Sequence, residues 1–479
     1  MHVIGRNKMS VDPVVAEIAA YVDAGPKPGE AAMTVAWLAL FDALGCAMTS
    51  TRVPECMALV GPIVPGTVVN PGARIPGTSY HVDPVTAAFA TGCLIRWLDF
   101  SDTWVALETG HPSDNIGAIV AAAEFESGRR QARGERPLAL DEVLRAAIQA
   151  YEIQGVLGLD NSLGEFGFDH AAFVRVASAA AAAKLLGGGF EEICSAVSHA
   201  WCDGHPLRIY RQAPNVGSRK SWAGPDAAAR GVELALRALR GEPPCGTVLT
   251  APDWGMETVL FGGKAFSLCR RLGSYVMENV LFKAAYPGVV HAQTALEAAM
   301  ELHPLVAGRL DDIERIDLWS YAQAIRITSK VGTLHNTADR DHCLQYMAAV
   351  GLLKGGLVEG DFSDAAAADP RIDALREKMF VREDPRFTAG NLDPEVRSSA
   401  NGIQITFGGG AATKRIDIEQ PLGHASRSGE GLPHLEQKLH RNLAVCLPPK
   451  RLEIIMDVFR SRGEHERMSV DDFVALFVL

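Results

Sequence analysis

The polar stretch 97–120, WLDFSDTWVALETGHPSDNIGAIV, sets two carboxylates beside a hydroxyl, with an imidazole shortly after. Asp99 and Asp102 stand beside Thr103, and His111 follows in the same loop. These are the groups that proton transfer needs: a base, an acid and a hydrogen-bonding hydroxyl. Apolar runs flank the loop, PVTAAFATGCLIRW at 84–97 and NIGAIVAAAEF at 115–125. Their spacing predicts buried helices that hold the polar loop between them. The plain alternative is that an aspartate caps a helix and His111 is a satisfied buried histidine.

A second concentration lies at 205–228, HPLRIYRQAPNVGSRKSWAGPDAA. Arg208, Arg211, Ser218, Arg219 and Lys220 share a loop-like run, with Ser221 as the expected cap of the next helix. The turn-rich APNVGS backbone leaves N–H groups free for an anion, and the cations suit a carboxylate or phosphate. A solvated basic loop paired with surface acids is the alternative. The third stretch, ENVLFKAAYPGVVHAQ, places Lys283 among apolar neighbours with Tyr286 and His291 nearby. Burial lowers the pKa of such a lysine unless a carboxylate holds it charged. His170 opens a helix after a glycine-rich loop, and HNTADRDHCLQYM (335–347) adds Asp339, Arg340, His342 and Tyr346.

The elements that must carry these groups read mostly as helices. Spacing predicts helices over 11–22 with Ser10 as cap, 31–49, 140–159 with Asp141 as cap, 170–186, 191–203 and 221–239. The run 31–49 approaches membrane-spanning length but contains Asp42, which favours a buried core helix. Composition changes near Tyr286. Strand-like stretches follow at 314–327 and 378–384, then GIQITF and KRIDIEQ joined through a glycine triplet as a hairpin. The tail returns to helix. The expected fold is mainly α: a large all-helical domain (1–278 and 425–479) with a smaller α+β lid domain (279–424) inserted, and a ligand cleft between them.

With 479 residues and 48% hydrophobic content, a sizeable core is available. A net charge of −11 speaks against a general nucleic-acid or anionic-membrane surface. Nine cysteines form no CxxC pair, so the spacings of zinc and iron–sulfur sites are missing and reduced thiols in a cytosol-like compartment are expected. No Walker motif or GxGxxG occurs, which weakens nucleotide cofactors. The first fifteen residues lack the apolar core and cleavage site of a secretory signal.

Four stretches in order, LDFSDTW…GHPSDNIGAI, RQAPNVGSRKSWAGPDAAARG, LFKAAYPGVVHAQTA and TADRDHCLQYM, resemble the MmgE/PrpD family from about residue 12 to 445. The resemblance implies the two-part architecture, a homodimer, and chemistry without metal or redox cofactor. It carries over Asp99, Thr103, His111, His170, Lys220 and Lys283 as active-site residues. Asp102, Arg208, Arg211, Ser218, Tyr286 and His342 are added as candidate substrate contacts. The implied substrate is a small tricarboxylate, 2-methylcitrate, losing water to give 2-methyl-cis-aconitate in propionate catabolism. The compartment would be the cytoplasm, or the mitochondrial matrix in a eukaryote. Six residues separate TW from the HP histidine, and this loop is longer than in decarboxylase-like members, which favours dehydration over decarboxylation of cis-aconitate. In this reading His111 and Asp99 form the acid/base set and His170 is the candidate proton donor to the leaving hydroxyl. From other classes, a non-catalytic tricarboxylate-binding scaffold would show binding without turnover. An iron–sulfur dehydratase would need three clustered cysteine ligands.

Overall fold

The computed structural model describes residues 10–25, 27–212, 214–393 and 396–479. The segment read for a secretory signal therefore falls largely outside the described residues, as does Ala213 of the APNVGS turn. The chain is 57% helical, with small sheets. One apolar core gathers side chains from Val15 to Val280 and again from Leu439 to Phe477, and a second gathers Val289 to Phe407.

The first core is built from long helices with small residues at their contacts. Helix Ala171–Leu185 is buried along almost its whole length, and alanines dominate its surface. Small side chains let its neighbours approach closely: a Cβ on Gly231 of helix Arg219–Ala238 would sit 2.8 Å from the Ala179 nitrogen. Helix Glu30–Ser50 is apolar and long enough to cross a membrane, yet most of it is buried among other helices, and Asp42 finds a buried cationic partner there.

The second core lies under a four-stranded sheet in the order Met379–Glu383, Ile313–Ser320, Asn401–Phe407, Ile416–Ile418. The first pair is parallel and the others antiparallel. The last two strands are the expected hairpin, with Gly409 and Gly410 at positive φ in its loop. Helices Gln293–Val306 and Leu344–Lys354 pack with the sheet around this core.

Several local expectations are corrected. The first helix is Pro13–Ala24, and Asp12, not Ser10, precedes it. The Asp12 carboxylate instead accepts from the Leu249 N–H at 2.7 Å, tying the helix start to a distant segment. Helix Leu140–Asp160 is not capped by Asp141. Its first N–H groups donate to the Met468 and Glu466 carbonyls, so tertiary contacts satisfy what a side chain otherwise would. The stretch read as one strand over 314–327 breaks at Tyr321 into a strand and helix Ala322–Thr328. Buried Tyr321, Ala324 and Thr328 follow helical spacing there. Helix Arg219–Ala238 starts earlier than expected, so Ser221 lies inside it and Lys220 sits in its first turn rather than in a loop.

Candidate active site

Asp99 follows helix Pro84–Arg96 and takes up φ +48°, a left-handed conformation that aspartate tolerates better than most side chains. This turn aims its carboxylate inward. Oδ1 accepts from Arg96 Nη1 at 2.5 Å and from Lys283 Nζ at 2.6 Å, and all three side chains are buried. Lys283 also donates to the Asp99 carbonyl at 2.8 Å. Burial alone would raise the Asp99 carboxyl. Arg96 and Lys283, then His342 and His111, outweigh it and hold the group well below the ordinary carboxylate range.

Two backbone bridges fold the loop onto this centre. Thr103 and Leu281 exchange N–H···O bonds of 2.8 and 3.0 Å, joining the loop to the segment that carries Lys283. Trp104 and Gly110 exchange another pair, which closes the intervening residues and returns His111 beside Thr103. His111 Nδ1 lies 2.8 Å from the Asp102 carbonyl. A carbonyl oxygen only accepts, so Nδ1 carries the proton and Nε2 is left as a base, 4.0 Å from Asp99 Oδ1. Burial, with Arg96 and Lys283 adding to it, keeps His111 well below the usual imidazole range, hence neutral near pH 7.

Lys220, from helix Arg219–Ala238, meets Asp341 and His342, which follow the short helix Thr337–Arg340. His342 Nδ1 is 2.8 Å from Lys220 Nζ, 2.7 Å from Asp341 Oδ1 and 3.6 Å from Asp99 Oδ2. With a proton, Nδ1 donates to Asp341; without one, it accepts from Lys220. Burial and Lys220 push His342 down to about 4 against the pull of Asp341. Burial also lowers both lysines, Lys283 to about 8, although Asp99 opposes the change there and Asp341 opposes it at Lys220.

The structure thus brings Asp99, His111, Lys220, Lys283 and His342 around one point, with Thr103 Oγ1 3.3 Å from His111 Nδ1. His170 stands behind His111, ring centroids 5.8 Å apart. Burial, then Arg211, Arg208 and Arg96, push His170 down to about 3 despite Asp169 beside it, so the expected protonated donor is a neutral imidazole.

Other predicted contacts are placed differently. The Asp102 carboxylate is wholly buried, with one bond to each oxygen, from the Tyr151 hydroxyl at 2.6 Å and the Ser113 N–H at 3.0 Å, so it braces the loop rather than facing a ligand. Arg208 pairs with Glu108 at 2.9 Å and Arg211 with buried Asp169, acids outside the Asp99–His342 cluster. Ser218 is exposed just before its helix. Tyr286 packs against the second core, and burial raises its phenol above the ordinary tyrosine value. Asp339 and Arg340 pair with Lys330 and Asp364, and the Tyr346 hydroxyl donates to the Asp361 carbonyl.

Sequence reasoning missed Arg96 and Asp114, and did not separate Asp341 from its neighbours. Arg96 ends an apolar helix, where a cation reads as a partner of the helix dipole. Its Nε and Nη2 have no hydrogen-bond partner among protein atoms, and neither do Asp114 Oδ1, Asp99 Oδ2 and His170 Nε2. Burial pushes Asp114 up to about 7 against Arg96 and Arg211. Its carboxylate packs on helix Arg219–Ala238 so closely that a Cβ on Gly224 would sit 2.3 Å from Oδ2. The usable signal was polar type: a charged residue inside an otherwise apolar stretch. Among the described residues no group of three His, Cys, Asp or Glu side chains is arranged to hold a metal ion.

This arrangement offers a free imidazole base, a lysine–imidazole pair able to pass a proton, and cations for carboxylates, within one buried site. Residues 15–269 match the MmgE/PrpD N-terminal domain and residues 286–460 the MmgE/PrpD C-terminal domain. The chain is 48% identical to the 2-methylcitrate dehydratase of Escherichia coli K12, covering 99% of both chains. It is 47% identical to that of Cupriavidus necator, covering 98% of this chain and 97% of the relative. A mitochondrial 2-methylcitrate dehydratase of Yarrowia lipolytica is 45% identical over 98% of this chain and 91% of its own length.

Proposed function

The chain belongs to the MmgE/PrpD family, and from that premise we propose that it is a hydro-lyase that removes water from 2-methylcitrate to give 2-methyl-cis-aconitate in propionate catabolism. The observation that carries the reading is the Asp99 carboxylate flanked by His111 at 4.0 Å and His342 at 3.6 Å, with Lys283 at 2.6 Å.

His111 Nε2 takes the proton from the C–H beside a substrate carboxylate. The C–H electron pair becomes the new double bond, and the C–O bond to the tertiary hydroxyl breaks with its pair. The departing hydroxide takes a proton from the Lys220–His342 pair and leaves as water. His342 replaces His170 in this role because it touches a lysine ammonium. Lys283, Lys220 and Arg96 offset the negative charge that grows on the carboxylate as its neighbouring proton departs. Preorganised charges aimed where negative charge develops are usually the largest single contribution to such catalysis. Thr103 holds and does not react, since the nearest imidazole nitrogen, His111 Nδ1 at 3.3 Å, already carries a proton and cannot take one from it.

His111, Asp99 and Lys220 belong to the helical part, whereas His342 and Asp341 come from the α+β part. We propose that residues 279–424 act as an inserted lid, so that the acid and base meet when it is closed. The side chains of His342 and His111, 18% and 10% exposed, mark the mouth. No metal takes part in this scheme. The test incubates the chelator-treated enzyme separately with 2-methylcitrate, citrate and cis-aconitate and identifies products by NMR. An alkene retaining all carbons from 2-methylcitrate supports the proposal. Carbon dioxide release from cis-aconitate alone, or tight binding without turnover, overturns it.

A further inference from the structure

Behind the site lies an ion pair that the scheme above does not use. Lys438, on helix Ser428–Ala444, reaches Asp42 of helix Glu30–Ser50, Nζ to Oδ1 2.6 Å. The two side chains are 1% and 2% exposed. The same ammonium donates to the Phe100 carbonyl at 2.5 Å and to the Lys283 carbonyl at 3.1 Å, and stands 3.9 Å from the Phe100 ring centre. Phe100 adjoins Asp99 in sequence. One ammonium therefore grips the backbone of both segments whose side chains form the Asp99–Lys283 pair.

We infer that Lys438, anchored by Asp42, is a positioning residue that fixes the backbone of Phe100 and Lys283 and so sets the Asp99–Lys283 geometry. A buried ion pair is a weak source of stability, since apolar residues of similar volume commonly replace it at little cost. Stability alone thus gives little reason for a lysine here. Its particular chemistry does: an ammonium pairs its charge with the Asp42 carboxylate while its N–H groups donate to two carbonyls, joining three distant parts of the chain. An apolar side chain would fill the space and leave both carbonyls unheld. Burial pushes the Asp42 carboxyl up to about 6, while Lys438 pulls it down. The pair is the means by which the last helical segment, after the sheet-containing part, reaches the active-site loop.

The inference rests on the proposed dehydration for its kinetic test and has a second test that does not. In Asp42→Leu/Lys438→Met both charges go together, so no lone buried charge remains. We expect near-parental melting, a kcat on 2-methylcitrate lower by about 100-fold, as loss of alignment produces, and a smaller change in KM. Backbone amides of Thr103, Leu281 and Gly288, which bond across the two segments, should exchange with deuterium about tenfold faster. Parental kcat together with parental exchange in the folded variant would overturn the positioning role. If the parent does not turn over 2-methylcitrate, the proposed reaction fails, while the exchange rates still decide the role of the pair. Asp42→Asn, which keeps the shape and removes only the anchor charge, serves the same exchange measurement should the double variant not fold. Slower or unchanged exchange there would also count against the inference.

Discussion

His111 Nε2 lies 4.0 Å from Oδ1 of Asp99, and the carboxylate is already claimed by Arg96 and Lys283. The aspartate is therefore spent on holding cations, and the imidazole, with Nδ1 turned to the Asp102 carbonyl, is the free base. That division of roles, acid residue as anchor and histidine as base, underlies the following expectations.

Removing the base should stop the chemistry and spare the fold. His111→Ala is expected to lower kcat by about 100- to 10,000-fold, the usual worth of one positioned proton-transfer group. Lys283→Ala should abolish turnover as well. Far-ultraviolet circular dichroism should match the parent in both, and normal activity in either variant would refute its assigned role.

The pH profile should have an alkaline limb set by Lys283. Its ammonium, lowered to about 8 by burial against the pull of Asp99, loses its proton as pH rises through that value, and its charge on the substrate is lost with it. On the acid side, His342 becomes protonated as pH falls through about 4 and can no longer accept from Lys220. A kcat/KM profile that stays flat to pH 10 would contradict the first of these.

Asp99→Asn should destabilise the protein more than a typical buried substitution. Two cations, Arg96 and Lys283, would lose the carboxylate that balances them, and leaving buried charge uncompensated costs about 3–5 kcal/mol. Lys283 would also shed its proton at lower pH, because the attraction that raises it is gone. Denaturant titration at pH 7 measures the first effect. An unchanged midpoint would mean the triad is not electrostatically coupled.

Gly224→Ala tests the contact between helix Arg219–Ala238 and Asp114. The added Cβ would fall 2.3 Å from Asp114 Oδ2, and Asp114 is only 1% exposed, so it has nowhere to swing. Overpacking of this kind costs about 1–3 kcal/mol. Thermal melting should report it, with kcat falling as Asp114 presses on its neighbours, Arg96 and His170. A variant that melts and turns over like the parent would show that the contact is loose.

Much of the chemistry was legible in residue type. Asp99, His111, Lys220, Lys283 and His342 each stood out as polar groups in apolar or turn-rich surroundings, and all meet at one site. Arg208, Arg211 and Tyr286 stood out for the same reason and are engaged elsewhere, with Glu108, with Asp169 and against the second core. Sequence spacing cannot separate these sets, because an ion-pair partner can lie a hundred residues away. Arg96 escaped notice since its helical position suits an ordinary dipole interaction.

What the sequence determined by itself is local: helices from apolar periodicity, the hairpin from alternation and glycine, and the list of residues able to carry charge or a proton. Those follow from forces acting over a few residues. Tertiary structure alone decided which nitrogen of His111 is free, which cations gather at Asp99, and that Asp341 rather than Asp339 faces Lys220. Each of these depends on which groups share a low-dielectric space, and most of those groups lie far apart in the chain.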